Sequence, residues 1–272
     1  MTTTPRSPSS PTSPTLASAT PPPWFPMLKK SYTKNFLYAE DPVFLTMSNI
    51  KRSGDASMHC LQFLSFLEDD PRFLVFPLAM NDNLLMGDIK SDPNANLCWM
   101  MPKSKEYYKL VGKFYIASAP IQVTRFPPPK IPASDLPAAE FWELERRKHW
   151  KAMDDKTRAT YTWPSRGEAP KADRIAFSCQ SLDCLIEQEG TTARGGGLFS
   201  LRRNNTAPAS STSSPSTDQK QVIHDIAMDN FCLLAYKISE VEYYDHSSFP
   251  QRRTVYTYSL KDNRWISKDA NP

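Results

Sequence analysis

The chain has only 8 glycines in 272 residues, and none of them belongs to a glycine-rich phosphate-binding loop. The dinucleotide fingerprint, the P-loop, the nucleophile elbow of hydrolases and the H-E-x-x-H motif of zinc proteases do not occur. No apolar run is long enough to span a membrane. The five cysteines are odd in number and include no C-x-x-C pair, so neither a disulfide framework nor a zinc site is predicted.

Charge and targeting signals are also weak. The net charge of +4 is mild, and the Lys and Arg residues form no long run, so we expect an ordinary mixed surface with no nucleic-acid or membrane partner. No segment resembles a secretory signal. The first acidic residue is Glu40, as in mitochondrial transit peptides, but the early prolines would break an amphipathic helix. A cytoplasmic location is therefore expected, with mitochondrial import the less favoured alternative.

Proline, by contrast, is abundant and clustered, with 25 residues in all. Residues 1–23 are almost entirely Thr, Ser, Pro and Ala, and such a segment buries too little apolar surface to offset its ordering entropy. We predict a disordered tail over 1–23 and a second low-complexity insert at about 189–221. The rest of 24–272 is long enough for a single well-packed domain.

The remaining chain alternates short apolar runs with turn-forming residues, which is typical of strands. Helical spacing is confined to three segments, 24–38, 84–91 and 136–153, the last extended or restarted over 154–161. The predicted strands are 43–50, 58–66, 73–76, 95–101, 107–116, 230–238, 241–247, 252–260 and 265–269. Many short strands with few helices predict a mainly β barrel core with helical additions, an α+β arrangement.

Several blocks, in this order along the chain, resemble the stand-alone branch of the pyridoxamine 5'-phosphate oxidase-like family. They are LQFLSF at 61–66, DPNANLCW at 92–99, PKSKEYYK at 102–109, and PQRR at 250–253. Trp150, Arg158 and Trp163-Pro164 resemble the middle helical block of the family. The resemblance covers about 24–163 and 230–272.

The resemblance implies a split β-barrel of about six antiparallel strands and a homodimer with one flavin mononucleotide (FMN) in each of two grooves at the subunit interface. It also implies a flavin-dependent oxidoreductase. Carried over position by position, the cofactor-binding residues are His59, Asn83, Lys109, Tyr243 (or its neighbour Tyr244), Arg252 and Arg253.

The sequence departs from the family at the phosphate-binding loop. Asp82 stands where the family has Arg, Leu85 where it has Lys, and 80–87 contains no Arg or Lys at all. Phe249 and Gln251 replace the Arg and His that meet the pyridoxal substrate, so vitamin B6 phosphate is not expected as the substrate. Three functions stay open: an FMN-dependent oxidoreductase of unknown substrate, a dimeric interaction module that has lost its flavin, and a barrel that holds haem or a deazaflavin with His59 as a ligand.

Overall fold

The computed structural model describes residues 21–168, 179–182 and 217–272. Its centre is one antiparallel sheet of nine strands. The strands are β1 (Phe44–Ile50), β2 (Ala56–Gln62), β3 (Ser65–Phe66), β4 (Phe73–Ala79), β5 (Asn94–Met101), β6 (Glu106–Ala117), β7 (Phe231–Asp245), β8 (Arg252–Ser259) and β9 (Arg264–Ala270). The helices are α1 (Phe25–Phe36), α2 (Asn83–Ser91), α3 (Ala138–Ala152), α4 (Asp155–Ala159) and α5 (Thr217–Asn230), with a 3-10 helix at Thr160–Thr162.

Strand β7 organises the sheet. Along one edge it pairs with β6, and along the other it pairs first with β4 and then with β8. The strand order is therefore β2-β1-β5-β6-β7-β4-β3, with β8 and β9 branching from the far half of β7. The backbone N–H of Leu64 donates to the carbonyl of Val75, so the chain crosses from the β2 edge to β4 and the sheet curls into a half-barrel.

The inner face of this half-barrel holds the larger core. Leu45, Leu97, Leu110 and Phe114 alternate inward along their strands and are at most 1% exposed. Helix α1 packs against them through Leu28 and its N-cap Trp24, which lie four residues apart and so share one helix face. Burial of this apolar stripe, rather than helix propensity, holds α1 in place.

A second core lies on the other side of the sheet, where α3, α4 and α5 cover β4, the end of β6 and the start of β7. Phe141 and Trp142 of α3 pack with Phe73, while Trp150 packs against Phe231. The helices cover only this half of the outer side.

No element of the part of the chain that the structure describes covers the other half of the outer side, and we call it the open face. Cross-strand partners define it, because directly paired residues point to the same side of a sheet. It carries large exposed apolar side chains: Phe44, Ile50, Met58, Met100, Val111 and Ile266.

The mainly β fold with helical additions is confirmed. Several details differ from the sequence predictions. The predicted strand 58–66 is divided between β2 and β3, and the sheet has nine strands where the resemblance implies about six. The runs 230–238 and 241–247 form one continuous strand, β7, which passes through a bulge at Ser239. Helix α5 begins at Thr217, inside the predicted 189–221 insert, and it was not predicted because that segment has a turn-like composition. The rest of the insert and residues 1–20 of the predicted tail lie outside the described residues, whereas Pro22 of that tail is buried.

The bulge also explains the one glycine of β6. A Cβ atom on Gly112 would lie 2.3 Å from the carbonyl oxygen of Lys237, so only glycine allows the two strands to approach this closely. No helix in the described ranges is long and apolar enough to cross a bilayer.

Candidate functional site

The six sequence-predicted site residues fall into separate places on the protomer. His59 lies on β2 directly opposite Met47, and Met47 is paired with the buried Leu97, so His59 points to the inner side. Lys109 on β6 is paired with Cys98 and Glu242 and lies on the open face. One protomer therefore does not bring His59 and Lys109 together.

His59 is engaged in a polar cluster with two neighbours. Its Nε2 lies 2.8 Å from Asp88 Oδ2 and 3.0 Å from Ser57 Oγ, and the Ser57 hydroxyl also donates to Asp88. The same ring nitrogen faces both partners, so this is not a Ser-His-Asp relay, in which the two ring nitrogens serve different partners. The Nε2 of His59 is occupied by the carboxylate and is not free to bind a metal or haem iron.

Asp88 is the charged centre of that cluster. Burial acts to raise the pKa of its carboxyl, but the hydrogen bonds from Ser57 and His59 outweigh burial and leave the pKa below its usual value. The cluster thus contains an ionised carboxylate that already has two donors, and it is a structural link between β2 and α2.

The start of α2 is the loop in which the family would hold a phosphate. Asp82 is the N-cap of this helix, and its Oδ1 accepts the backbone N–H of Leu85 at 3.1 Å. Asp82 is only 6% exposed, and Leu85 is buried in the barrel core. An anion bound at a helix N-terminus uses these free N–H groups and the positive end of the helix dipole. Here the carboxylate of the protein itself takes that role.

The segment 161–168 lies beside the same loop. The side-chain amide of Asn81 donates to the carbonyl of Trp163 at 2.9 Å, and the amide of Asn83 donates to Glu168 at 3.3 Å. Asn83 is exposed, so it is reachable from solvent, but its amide faces a second carboxylate. The helix start is thus bordered by Asp82 and Glu168.

The open face brings together Lys109 and Arg253, the two cations expected to contact the cofactor. Both approach Glu242 Oε2, Lys109 Nζ at 3.3 Å and Arg253 Nη2 at 3.0 Å. Burial alone would raise the pKa of Glu242, but the bonds from Arg253 and Lys109 hold it below its usual value. Glu242 therefore offsets one of the two positive charges. The Nε of Arg253 is buried and has no hydrogen-bond partner among the described residues.

Tyr243, Tyr244 and Arg252 lie in three different environments. Tyr243 points to the inner side, where its hydroxyl donates to Glu106 at 2.9 Å. Its neighbour Tyr244 lies on the open face and stacks on Tyr107 with ring centroids 5.0 Å apart and planes 5° apart. Of the two tyrosines left open by the sequence, Tyr244 is the one beside Lys109 and Arg253. Arg252 is exposed and is paired across the strands with Asp245.

The sequence reasoning missed the acidic partners of the site. Glu242 carries no motif, and its neighbours on β6 and β8 are identified only by register. Asp82 gave a readable signal, because Asp directly before a helical segment is a common N-cap. Among the described residues, no group of three His, Cys, Asp or Glu side chains could hold a metal ion.

A single antiparallel sheet curled into a half-barrel, with one helix against its interior and a bare outer face, defines this chain as a split-barrel protein. No family sequence model and no curated protein sequence matches the chain, but solved structures do. One is a pyridoxamine 5'-phosphate oxidase-related, FMN-binding protein from Nostoc punctiforme PCC 73102. It is 19% identical with a TM-score of 0.61, over 92% of this chain and 98% of that one.

A second similar structure is PhzG from Burkholderia lata 383, in complex with tetrahydrophenazine-1-carboxylic acid. It is 15% identical with a TM-score of 0.55, over 96% of this chain and 98% of that chain. The chain thus has the split-barrel fold of pyridoxamine 5'-phosphate oxidase-like proteins, as its sequence blocks predicted. At these identities the likeness establishes the fold.

The residues present do not fit the phosphate of FMN. A phosphate monoester carries nearly two negative charges and needs Arg, Lys or unpaired N–H donors. The α2 N-terminus offers the buried carboxylate of Asp82 instead, and the backbone N–H of Leu85 already donates to that carboxylate. On the open face, Lys109 and Arg253 share Glu242, so their net charge is reduced.

Proposed function

We propose that this chain is a homodimeric split-barrel protein that works as a binding module and does not keep FMN as a resident cofactor. The observation that carries the proposal is the carboxylate of Asp82 at the start of α2. This carboxylate accepts a backbone N–H at the start of α2, where a bound phosphate would otherwise accept it. Its negative charge also repels a phosphate at this position. Without that grip, the flavin ring alone would have to provide the affinity.

The open face supports the homodimer. Its exposed apolar side chains, with Met58 73% and Met100 59% exposed, form the kind of uncovered surface that marks a protein interface. The same face carries Lys109, Arg253 and Lys268 together with Glu240 and Glu242, so it is complementary in charge to a copy of itself. A two-fold dimer needs such a self-complementary patch, and we take a second copy of this chain as the occupant.

Sedimentation of the full chain with added FMN, followed at protein and flavin wavelengths, tests both parts of this proposal. We expect a dimer that sediments without flavin absorbance. Replacing both Met58 and Met100 by Glu should weaken the dimer about tenfold or more, because four carboxylates would be buried at the interface. Val123→Glu is the matched control, since Val123 is 99% exposed and lies outside the open face. A monomeric parent protein contradicts the proposal. A dimer whose stability is unchanged by the Met58 and Met100 substitutions contradicts it as well.

The second candidate is an FMN-dependent oxidoreductase of unknown substrate. The placement of Lys109 and Arg253 beside the stacked pair Tyr107 and Tyr244 favours it, because two cations and a flat aromatic surface suit a flavin. In this case flavin would sediment with the dimer in the same experiment.

A further inference from the structure

A pocket of about 590 Å³ lies on the open face, at the bulge between β6 and β7 and away from α2. Ile50 and Val111 of the open face belong to its lining. This volume is in the range of small-molecule sites, roughly 300–1,000 Å³. Three basic side chains line it, Arg72, Lys113 and Lys237. The only carboxylate of its lining, Asp92, accepts two hydrogen bonds from Asn94, so its charge is engaged.

The two lysines face each other in an unusual way. Lys113 and Lys237 are directly opposite in the β6–β7 ladder, where like charges are unfavourable. No carboxylate of the described ranges lies within ion-pair distance of either ammonium group. Burial, followed by the nearby Arg72 guanidinium, lowers the pKa of Lys237, and the smaller effect of the Asp70 carboxylate opposes this shift.

Arg72 differs from the lysines because it is already paired. Its guanidinium makes a two-pronged bond to Asp70, at 2.8 and 2.6 Å, and lies 5.7 Å from the centroid of the Tyr258 ring. Asp70 therefore fixes the orientation of Arg72 and offsets its charge. The two lysines, by contrast, face aromatic rings and, among the described residues, no paired carboxylate. The Nζ of Lys113 lies 5.5 Å from the ring centroids of Tyr115 and Phe126, and the Nζ of Lys237 lies 5.7 Å from that of Phe73.

The walls of the pocket indicate more than a simple anion site. Tyr115 and Tyr258 provide aromatic surface, and Ile50 and Val111 provide apolar surface.

We propose that this pocket binds a small phosphate monoester with a ring-containing body, such as a nucleoside monophosphate. The phosphate bridges the ammonium groups of Lys113 and Lys237, because a dianion matches two facing cations. The ring lies against Tyr115 and Tyr258. The site is separate from the α2 loop, so it does not depend on whether the chain binds flavin. It does require that the second copy proposed for the open face leaves this pocket uncovered.

Calorimetric titration of the full chain with adenosine monophosphate, adenosine and inorganic phosphate tests this site. We expect adenosine monophosphate to bind about tenfold or more tightly than either of the other two, because only it has both parts. Added salt should weaken its binding. Equal affinity for adenosine, equal affinity for phosphate, or no binding to the parent protein would each overturn the proposal. The parent protein would fail to bind adenosine monophosphate if a second copy of the chain filled the pocket.

The variant Lys113→Gln/Lys237→Gln separates binding from a structural role. It should reduce the affinity for adenosine monophosphate about tenfold or more, while its melting temperature without ligand stays level or rises, because the repulsion between the lysines is gone. Lys130→Gln is the control, an exposed lysine outside the pocket, and should leave binding unchanged. Should the double variant not fold, Lys113→Gln alone gives the affinity measurement. Unchanged affinity in the lysine variants contradicts the proposal.

Discussion

Replacing Arg146 by Leu should lower the free energy of unfolding by about 3–5 kcal/mol, the usual effect of breaking a buried ion pair. Arg146 is 1% exposed, and its guanidinium makes a two-pronged bond to Glu143, at 2.8 and 3.0 Å. It also donates to the carbonyls of Met228 and Phe231, at the end of α5 and the start of β7. Leucine would remove the donor to both carbonyls and would leave Glu143 with Arg147 as its remaining partner.

Chemical denaturation of Arg146→Leu and Arg147→Leu measures this effect against a matched control. Arg147 also bonds to Glu143, at 2.7 Å, but its side chain is 43% exposed, so its loss should cost about 1 kcal/mol or less. Arg146→Lys should restore little of the lost stability, because a single ammonium group cannot make all the hydrogen bonds of the planar guanidinium. Equal effects of the two leucine variants would show that the buried position of Arg146 is unimportant.

Converting Asp82 to Ser together with Asn83→Arg should tighten FMN binding about tenfold or more. Serine still caps α2, so the helix keeps its start while the repelling carboxylate is lost. Asn83 is exposed, so Arg at this position can add a charge-assisted hydrogen bond to the phosphate, worth about 1.5–3 kcal/mol. Placing Lys at Leu85 would imitate the family more closely, but Leu85 is 7% exposed and belongs to the core.

Titration of flavin fluorescence with FMN and riboflavin provides the control for that variant. Riboflavin has no phosphate, so its affinity should not change. The single variant Asp82→Ser should give a smaller gain than the pair, since it removes repulsion without adding a cation. If both flavins bind more tightly by the same factor, or neither does, the α2 N-terminus is not the phosphate site.

Local periodicity predicted most of the secondary structure. The alternating run of β5 and the helical spacing of α1 and α3 are properties of neighbouring residues, and the predicted ranges agree with the structure to within about two residues. Helix α5 was missed because its start has the composition of the insert, and its burial through Ala227 depends on packing against distant elements. The bulge at Ser239 needs the β6 register and was not predictable from the strand itself.

The sequence predicted which residues of the candidate site carry positive charge, but it did not predict the residues that surround them. Lys109 and Arg253 lie on strands where the family places cations, yet both share Glu242, which is 133 residues from Lys109 in sequence. The facing pair Lys113 and Lys237 depends on the same long-range register. Such neighbours follow from how strands pair across the whole chain, and no local pattern specifies that pairing.

The ratio of the FMN and riboflavin affinities of the unmodified chain tests the central claim most directly, because the two ligands differ only in the phosphate. If the carboxylate of Asp82 occupies the start of α2 and Glu242 offsets the cations of the open face, the phosphate contributes no net attraction. Equilibrium dialysis should then show FMN binding no more tightly than riboflavin. FMN bound about 100-fold more tightly, a difference of about 2.7 kcal/mol, would contradict this account.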